Sequence, residues 1–176
     1  HFLEQDAWLA FLNPHFLSKL VIIFVGEVSR GKRRVVGMPI KSKVLQKENP
    51  EAPFKVVEIE RRDPREDDVV IDIKAAGICH SDIHTIQNEW GEAHFPLTVG
   101  HEIAGVVEAV GDKVTKFKVG DRVGVGCLVN SCGECEQCRN GQEQNCLNGN
   151  VGTYNSEDVD GTITQGGYAQ KVVVNE

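Results

Sequence analysis

The chain has 176 residues, which is enough for one domain with a hydrophobic core and hardly enough for two complete domains. Its net charge of -7 provides no positive surface for a phosphate backbone, so the sequence predicts no nucleic-acid partner. The 18 glycines and the aromatic content of only 6% favour short strands joined by tight turns over packed helices.

The first 37 residues differ in composition from the rest of the chain. They hold five basic residues against three acidic ones, although the whole chain is acidic. Met38, the only methionine, follows this segment, so we expect Met38 to be the native start and residues 1–37 to be a non-native or disordered extension. A basic targeting tail built on residues 30–34 is the alternative. The apolar stretch 16–25 is far too short to span a bilayer, which predicts no membrane partner.

From Met38 onwards the pattern is typical of strands. Residues 69–73 are apolar at every second position, which indicates a half-buried strand. Residues 82–90 lack Gly and Pro and predict a short helix capped by Ser81 or Asp82. Further strands are predicted over residues 103–110, 122–125 and 168–174. We therefore predict a mainly β fold, a barrel with small helical inserts.

Four of the six cysteines form a dense cluster, Cys132-Gly-Glu-Cys135-Glu-Gln-Cys138 followed by Cys146. Two-residue spacers let neighbouring backbone turns aim thiolates at one point, so the spacing predicts a tetrahedral zinc ion. With four protein ligands there is no place for water, and the zinc would be structural, in a lobe of about residues 131–147. Disulfides or free cysteines are the alternative, but no secretory signal is evident, and a reducing cytoplasm favours metal-bound thiolates.

A second cluster precedes the cysteine lobe. It comprises Cys79, His80, Ser81, Asp82 and His84, then Gly100, His101 and Glu102. Thiolate, imidazole and carboxylate together form the ligand set of a zinc ion that keeps an open coordination position. Each residue alone is typical of a surface or a core, whereas their combination with a separate cysteine lobe favours a second metal site.

The sequence resembles the zinc-containing alcohol dehydrogenases of the medium-chain dehydrogenase superfamily. Gly100, His101, Glu102, Gly105, Gly111 and Val114 match the pattern G-H-E-x-x-G-x-x-x-x-x-G-x-x-V of that family. The cysteine lobe follows in the family's order, and residues 79–84, 151–155 and 166–170 are most similar to cinnamyl-alcohol-dehydrogenase-like aldehyde reductases. The resemblance covers residues 38–176 and implies a GroES-like β-barrel.

The resemblance implies a catalytic zinc ion held by Cys79 and His101. Glu102 matches an acidic neighbour that can enter or approach the coordination sphere. Asp82 matches a carboxylate that orients the ligand histidine through the second nitrogen of its imidazole. Together with the cysteine lobe, this implies two zinc ions, one structural and one catalytic.

Four further residues take roles around the catalytic metal by the same resemblance. Ser81 matches the hydroxyl that hydrogen-bonds the substrate oxygen, and His84 the end of a proton relay. His80 matches a position that faces the cofactor pyrophosphate. Trp90 is expected to line the substrate pocket, with a position in the core as the equal alternative. The implied reaction is hydride transfer between a nicotinamide and a small aldehyde or primary alcohol, with zinc as the Lewis acid.

Two parts of the family pattern are missing between residues 1 and 176. The family's third catalytic ligand is a later cysteine, and no cysteine follows Cys146. No G-x-G-x-x-G fingerprint occurs either. We therefore expect the Rossmann domain to be absent and residues 38–176 to be the incomplete catalytic domain of a longer parent, inactive by itself. For that parent the resemblance favours NADP(H) over NAD(H), a homo-oligomer and a cytoplasmic location.

Two other functions stay open on the sequence alone. The first is a stand-alone zinc-binding interaction module, against which the acidic charge and the stretch 100–102 argue. The second is a related zinc dehydrogenase that acts on polyols, threonine or formaldehyde. The residues that line the pocket would distinguish this second alternative from an aldehyde reductase.

Overall fold

The computed structural model describes residues 21–23 and 39–176 of the chain. Within them the chain forms mostly strands. The strands are β1 (Val21–Ile23), β2 (Ile40–Gln46), β3 (Lys55–Arg61), β4 (Asp68–Gly77), β5 (Glu102–Val110), β6 (Arg122–Val125), β7 (Leu128–Asn130), β8 (Val151–Gly152) and β9 (Lys171–Asn175). The helices are short: α1 (His80–Ile86) lies between β4 and β5, while α2 (Glu136–Arg139) and a single 3-10 turn (Glu143–Asn145) lie between β7 and β8.

The longest strand, β4, organises the main sheet. It pairs antiparallel with β5 along one edge, and β6 pairs with the far edge of β5. Along the other edge of β4, β9 pairs with residues 68–72 and β1 with residues 75–77. β2 and β3 form a separate hairpin, and β7 and β8 a smaller one. A bridge between Val44 and Ala169 joins the first hairpin to the segment that leads into β9.

The core lies against β4, as its alternation predicts. Its main cluster of buried residues is Val44, Val69, Ile71, Ile73, Ile103, Val107, Ala169, Val172 and Val174. Val70, which the alternation placed on the opposite face, is buried as well, because that face packs against Ile40, Ala109 and Val173. Fully burying one aliphatic side chain contributes about 1.5–3 kcal/mol, so both faces of β4 stabilise the fold.

Two predicted elements have wrong boundaries, for local reasons. The helix ends at Ile86 and not at residue 90, because Asn88 has a φ of 59°, outside the helical region. The helix begins at His80 and not at residue 82, because the Asp82 carboxylate accepts the backbone N–H of Cys79, 3.1 Å away, and makes Cys79 the cap. The last strand begins at Lys171 and not at residue 168. The backbone N–H groups of residues 166–168 donate instead to the carbonyls of residues 98–100, so they cannot join the sheet.

Most of the predicted N-terminal extension lies outside the described residues. Residues 1–20 and 24–38 are not described, so the start at Met38 stays a prediction. Within that segment, β1 pairs with the end of β4. Among the described residues, no helix is long and apolar enough to cross a bilayer.

Candidate metal centres and active site

The four lobe cysteines converge on one point. The Sγ atoms of Cys132, Cys135, Cys138 and Cys146 all lie within 4.8 Å of one another. Cys138 Sγ is 3.4 Å from that of Cys135 and 3.9 Å from that of Cys132. A disulfide requires about 2.05 Å. A tetrahedron with Zn–S bonds of about 2.3 Å has S···S edges of about 3.8 Å. The geometry therefore fits a four-thiolate metal site and not the disulfide alternative.

The lobe has almost no apolar core of its own. Between residues 131 and 147, Cys138 is the only buried residue, and Leu147 is 68% exposed. The turn between the first two cysteines is tight: Gly133 has a φ of 70°, and the backbone N–H of Cys135 donates to Cys132 Sγ at 3.4 Å. Because burial supplies so little energy here, a ligand that joins the four sulfurs is the main candidate for what orders the segment.

The lobe thiols differ in acidity. Hydrogen bonds from the backbone of Glu134 and Cys135 lower the pKa of Cys132 to about 6. A backbone hydrogen bond from Cys138 likewise lowers the pKa of Cys135. The Ser131 hydroxyl favours the Cys138 thiolate, but burial and the neighbouring thiols outweigh it and raise the pKa of Cys138 to about 11. Four thiolates this close repel one another, and a divalent cation among them removes that repulsion.

The second predicted cluster also converges. The Cys79 sulfur, a ring nitrogen of His101 and a Glu102 carboxylate oxygen lie within 4.8 Å of one another. Cys79 caps α1, while Glu102 opens β5 opposite Gly77 of β4, so the strand pairing sets the distance across the site. A Cβ atom on Gly77 would lie 2.2 Å from Glu102 Oε2 and 2.9 Å from Glu102 Cβ, so only glycine leaves room for this carboxylate.

Asp82 joins the two sides of this cluster. Its side chain is buried, with Oδ2 accepting the backbone N–H of Cys79 and Oδ1 that of Gly100, both at 3.1 Å. His101 Nδ1 lies 3.8 Å from Asp82 Oδ1. Asp82 thus lies beside His101, the histidine that the resemblance expects it to orient. It is also hydrogen-bonded to the backbone of Cys79 and to that of Gly100, the residue before His101.

Two tyrosines at this site were not predicted from the sequence. The Tyr168 hydroxyl donates to Asp82 Oδ2 at 2.5 Å, and the Tyr154 ring stacks on His101 with centroids 5.7 Å apart. Burial and the negative charge of Asp82 raise the pKa of both tyrosines, so both hydroxyls stay protonated at neutral pH. In the sequence, the only indication of these tyrosines was that they lie in the stretches 151–155 and 166–170, which resemble the family. No spacing rule links them to the other site residues, which are far away along the chain.

Ser81 carries an unused polar atom into the site. Its Oγ is buried and makes no hydrogen bond within residues 39–176. The Tyr154 hydroxyl lies near Ser81, and this contact partly offsets the rise in the pKa of Tyr154. The two hydroxyls do not meet the geometry of a hydrogen bond. A buried polar group left unpaired costs about 1–3 kcal/mol, so Ser81 Oγ is a candidate to bind a ligand oxygen.

The remaining predicted residues lie on the exposed side of α1. His84 Nδ1 contacts the Glu89 carboxylate, and the His84 ring packs against His80 at 4.6 Å and Trp90 at 4.8 Å between centroids. No hydrogen bond joins His84 directly to Ser81 in this part of the structure, so the relay between them stays a prediction. Trp90 is 68% exposed among the described residues, and its place in the substrate pocket stays a prediction.

Residues 65–176 match the family described as the alcohol dehydrogenase GroES-like domain, and the chain belongs to that family. A probable formaldehyde dehydrogenase of Bacillus subtilis (strain 168) is 60% identical over 136 residues, which cover 77% of this chain and 39% of that protein. Probable cinnamyl alcohol dehydrogenase 3 of Oryza sativa subsp. japonica is 61% identical over 118 residues, which cover 67% of this chain and 32% of that protein. The NADP-dependent alcohol dehydrogenase C of Mycobacterium tuberculosis (strain CDC 1551 / Oshkosh) is 59% identical over 124 residues, which cover 70% and 36%.

Solved structures give the same assignment. CAD from Helicobacter pylori complexed with NADP(H) superposes with a TM-score of 0.75 at 45% identity, over 79% of this chain and 40% of that one. A thermostable alcohol dehydrogenase from Pyrobaculum aerophilum with bound cobalt and zinc gives a TM-score of 0.59 at 32% identity, over 77% and 39%. The chain thus spans about a third to two-fifths of these proteins. The predicted mainly β, GroES-like fold and the family resemblance are confirmed.

Proposed function

We propose that this chain is the metal-carrying part of a zinc-dependent alcohol dehydrogenase that interconverts aldehydes and primary alcohols with NAD(P)H. The observation that carries the proposal is the convergence of Cys79, His101 and Glu102 within 4.8 Å, with the buried Asp82 carboxylate behind them. Thiolate, imidazole and carboxylate are donors that suit zinc, and a site with few protein ligands leaves a position for substrate.

The chain's own residues account for the binding steps at this site. A zinc ion held there supplies a Lewis acid for the carbonyl oxygen. Asp82 fixes the backbone at Cys79 and at Gly100, next to His101. Ser81 Oγ is buried and makes no hydrogen bond among the described residues, so it can donate one to the substrate oxygen. In aldehyde reduction it would give its proton to that oxygen and recover one from solvent through His84, the predicted end of the relay. Tyr154 stacks on one face of the His101 ring.

The cysteine lobe has a different task in this proposal. Its four sulfurs would hold the second, structural zinc ion, since four protein ligands leave no position for substrate. The lobe is then an element of stability whose folding depends on its metal. The disulfide alternative finds no support, because all four cysteines are free and two of their S···S separations are 3.4 and 3.9 Å.

The relatives support the cofactor and the substrate class of the proposal. One relative is named as NADP-dependent, and the Helicobacter pylori enzyme was crystallised with NADP(H), which supports NADP(H) for this protein. One relative is named for formaldehyde and another for cinnamyl alcohol, so the proposal covers aldehydes and primary alcohols as a class and keeps a formaldehyde dehydrogenase as the second candidate. His80, which the resemblance assigns to a position facing the cofactor pyrophosphate, is exposed at the start of α1. The cytoplasmic location and the homo-oligomeric whole enzyme remain predictions from the resemblance.

The proposal can be tested by counting zinc in two cysteine variants of the 176-residue chain. Cys79→Ser should lose one zinc equivalent, because it removes a sulfur ligand from the second cluster. Cys127→Ser is the matched control, since Cys127 is a free, exposed cysteine outside both clusters and its loss should leave the zinc content unchanged. Equal zinc content in Cys79→Ser and the unchanged chain would remove Cys79 from any metal site and defeat the proposal.

A further inference from the structure

The geometry points to a further role: we propose that the Tyr168 hydroxyl is a positioning group for the metal cluster of Cys79 and His101, acting through Asp82. The inference rests on the proposed function, because it concerns the metal affinity of the proposed catalytic site. Neither the resemblance nor the relatives' names assign any task to Tyr168. Three observations carry it, namely the hydrogen bonds of Asp82, the packing of the Tyr168 ring and the anchoring of the Tyr168 backbone.

The first observation is how the Asp82 carboxylate is shared. Oδ1 accepts the N–H of Gly100 at 3.1 Å and lies 3.8 Å from His101 Nδ1. Oδ2 accepts the N–H of Cys79 at 3.1 Å and the hydroxyl of Tyr168 at 2.5 Å. Two of the three donors are backbone groups that also belong to the site, and Tyr168 is the side-chain donor among them. Tyr154 also lies close enough to Asp82 for that carboxylate to raise its pKa. Without the Tyr168 hydroxyl, Oδ2 keeps only the Cys79 N–H, and the carboxylate that lies beside His101 is less firmly held.

The second observation is the close contact between Tyr168 and the residue before His101. A Cβ atom on Gly100 would lie 2.7 Å from the Tyr168 ring, and the φ of Gly100 is 102°, a conformation that favours glycine. The ring therefore packs directly on the backbone that leads into His101. Tyr168 is 6% exposed, so its ring has little freedom to move away.

The third observation is the rigidity of the Tyr168 backbone. Its N–H donates to the Val99 carbonyl at 3.0 Å, and its carbonyl accepts the N–H of Leu45 at 2.8 Å. Just before it, the buried guanidinium of Arg61 donates to the carbonyls of Gln165 at 2.5 Å and Gly166 at 2.9 Å. The hydroxyl thus reaches Asp82 from a segment whose backbone is hydrogen-bonded to Val99, Leu45 and Arg61. An orienting group requires this kind of rigid support.

The test is a double-mutant cycle on the full 176-residue chain. Tyr168→Phe removes only the hydroxyl, and Asp82→Asn removes the negative charge of the carboxylate that accepts the hydroxyl's hydrogen bond. Each single variant should weaken zinc retention at the Cys79 cluster by about 10-fold in a graded chelator titration, the usual effect of losing an outer hydrogen bond to a metal ligand. Adding Tyr168→Phe to Asp82→Asn should cause almost no further loss, because the hydroxyl acts through that carboxylate.

A control variant and a spectroscopic readout separate positioning from general destabilisation. Thr98→Val also removes a buried hydroxyl, but one that makes no hydrogen bond among the described residues, so it should leave zinc retention unchanged. Cobalt reloaded into the Cys79 cluster should show a shifted visible absorption band in Tyr168→Phe and not in Thr98→Val. Lobe zinc, measured in the same samples, should be retained equally by all variants.

The outcomes distinguish the two proposals. If the unchanged chain takes up metal only in the lobe, the proposed function fails and this inference falls with it. If the unchanged chain fills the Cys79 cluster and Tyr168→Phe retains that metal equally well, the inference alone is overturned. Additive losses in the double variant would show that the Tyr168 hydroxyl acts by a route other than Asp82, such as its contact with the Gly77 carbonyl at 3.4 Å, and would also overturn the inference.

Discussion

Gly77 shows how single residues set the metal cluster. It stands opposite Glu102 in the pairing of β4 with β5, and a Cβ atom there would overlap the Glu102 carboxylate. The motif around His101 was evident from the sequence, but the need for glycine at position 77 was not, because it arises only when two strands lie side by side.

Gly77→Ala should therefore disturb the Glu102 side of the cluster. We expect a loss of about 1–3 kcal/mol in the free energy of unfolding, typical of overpacking, together with weaker zinc retention at this site. Urea denaturation and metal analysis would measure both. Gly126→Ala is the matched control, since a Cβ atom there meets nothing within 4 Å, and it should behave like the unchanged chain. An unaltered Gly77→Ala protein would show that Glu102 moves aside without cost.

At the scale of elements, the cysteine lobe is held by its ligands and not by burial. Cys135→Ser should release the lobe zinc and loosen residues 131–147, because one of four closed-shell ligands is lost and the segment buries only Cys138. Hydrogen exchange should show faster amide exchange in the lobe and unchanged protection in β4 and β5. Protection of the lobe equal to that of the unchanged chain would contradict a structural metal there.

A second element-scale feature is the ion cluster that joins the start of β4 to the loop before β9. Arg65 contacts Asp158 at 2.9 Å and Asp160 at 2.6 Å. The Thr162 hydroxyl and then Arg65 hold the pKa of Asp160 well below its usual range. Burial acts to raise the pKa of Asp158, but hydrogen bonds from the Val159 backbone and from side chains including Arg65 outweigh it and leave this pKa lowered.

These lowered pKa values predict an acid-dependent contribution to stability. A carboxylate whose pKa is lowered by folding stabilises the fold at pH values above its ordinary, unfolded-state pKa. This contribution is lost as the pH falls towards the lower pKa of the folded state. Arg65→Gln should thus be less stable at pH 7 by about 1 kcal/mol, discounted for partial exposure, and the difference should shrink below about pH 4. Thermal melts across that range would measure it, with Lys113→Gln, which breaks an exposed pair with Glu66, as the control. A difference that does not change with pH would refute the electrostatic explanation.

The elements show where sequence patterns suffice. β5 and β6 lie where mostly apolar runs predicted them. β5 pairs with β4 and buries alternate residues, whereas β6 pairs with β5 and is exposed or half-buried. β2 and β3 carried no such run, because charged residues interrupt both, and their pairing with each other in the structure reveals them. The lobe cluster was predicted from ligand spacing, which is local along the chain. The cluster of Cys79, His101 and Glu102 was predicted from its combination of ligand types and from the family resemblance. Tyr154 and Tyr168 were missed because tertiary packing brings them to the site from distant positions.

At the scale of the whole molecule, both metal clusters found in the described part of the chain are made of residues between Cys79 and Cys146. The only described part of residues 1–37, β1, pairs with three residues at the end of β4. We expect a polypeptide that starts at Met38 to keep the zinc content and the circular dichroism spectrum of the whole chain. Loss of soluble, folded protein on this deletion would show that residues 1–37 belong to the core.

The two clusters should hold zinc with different strength, because one offers four thiolates and the other only Cys79, His101 and Glu102. The most direct measurement is zinc content per chain during stepwise dialysis against a chelator of increasing strength. The account predicts two zinc ions at the outset, early loss of one, and retention of the other until the lobe unfolds. A single zinc ion throughout, or two that leave together, would contradict it.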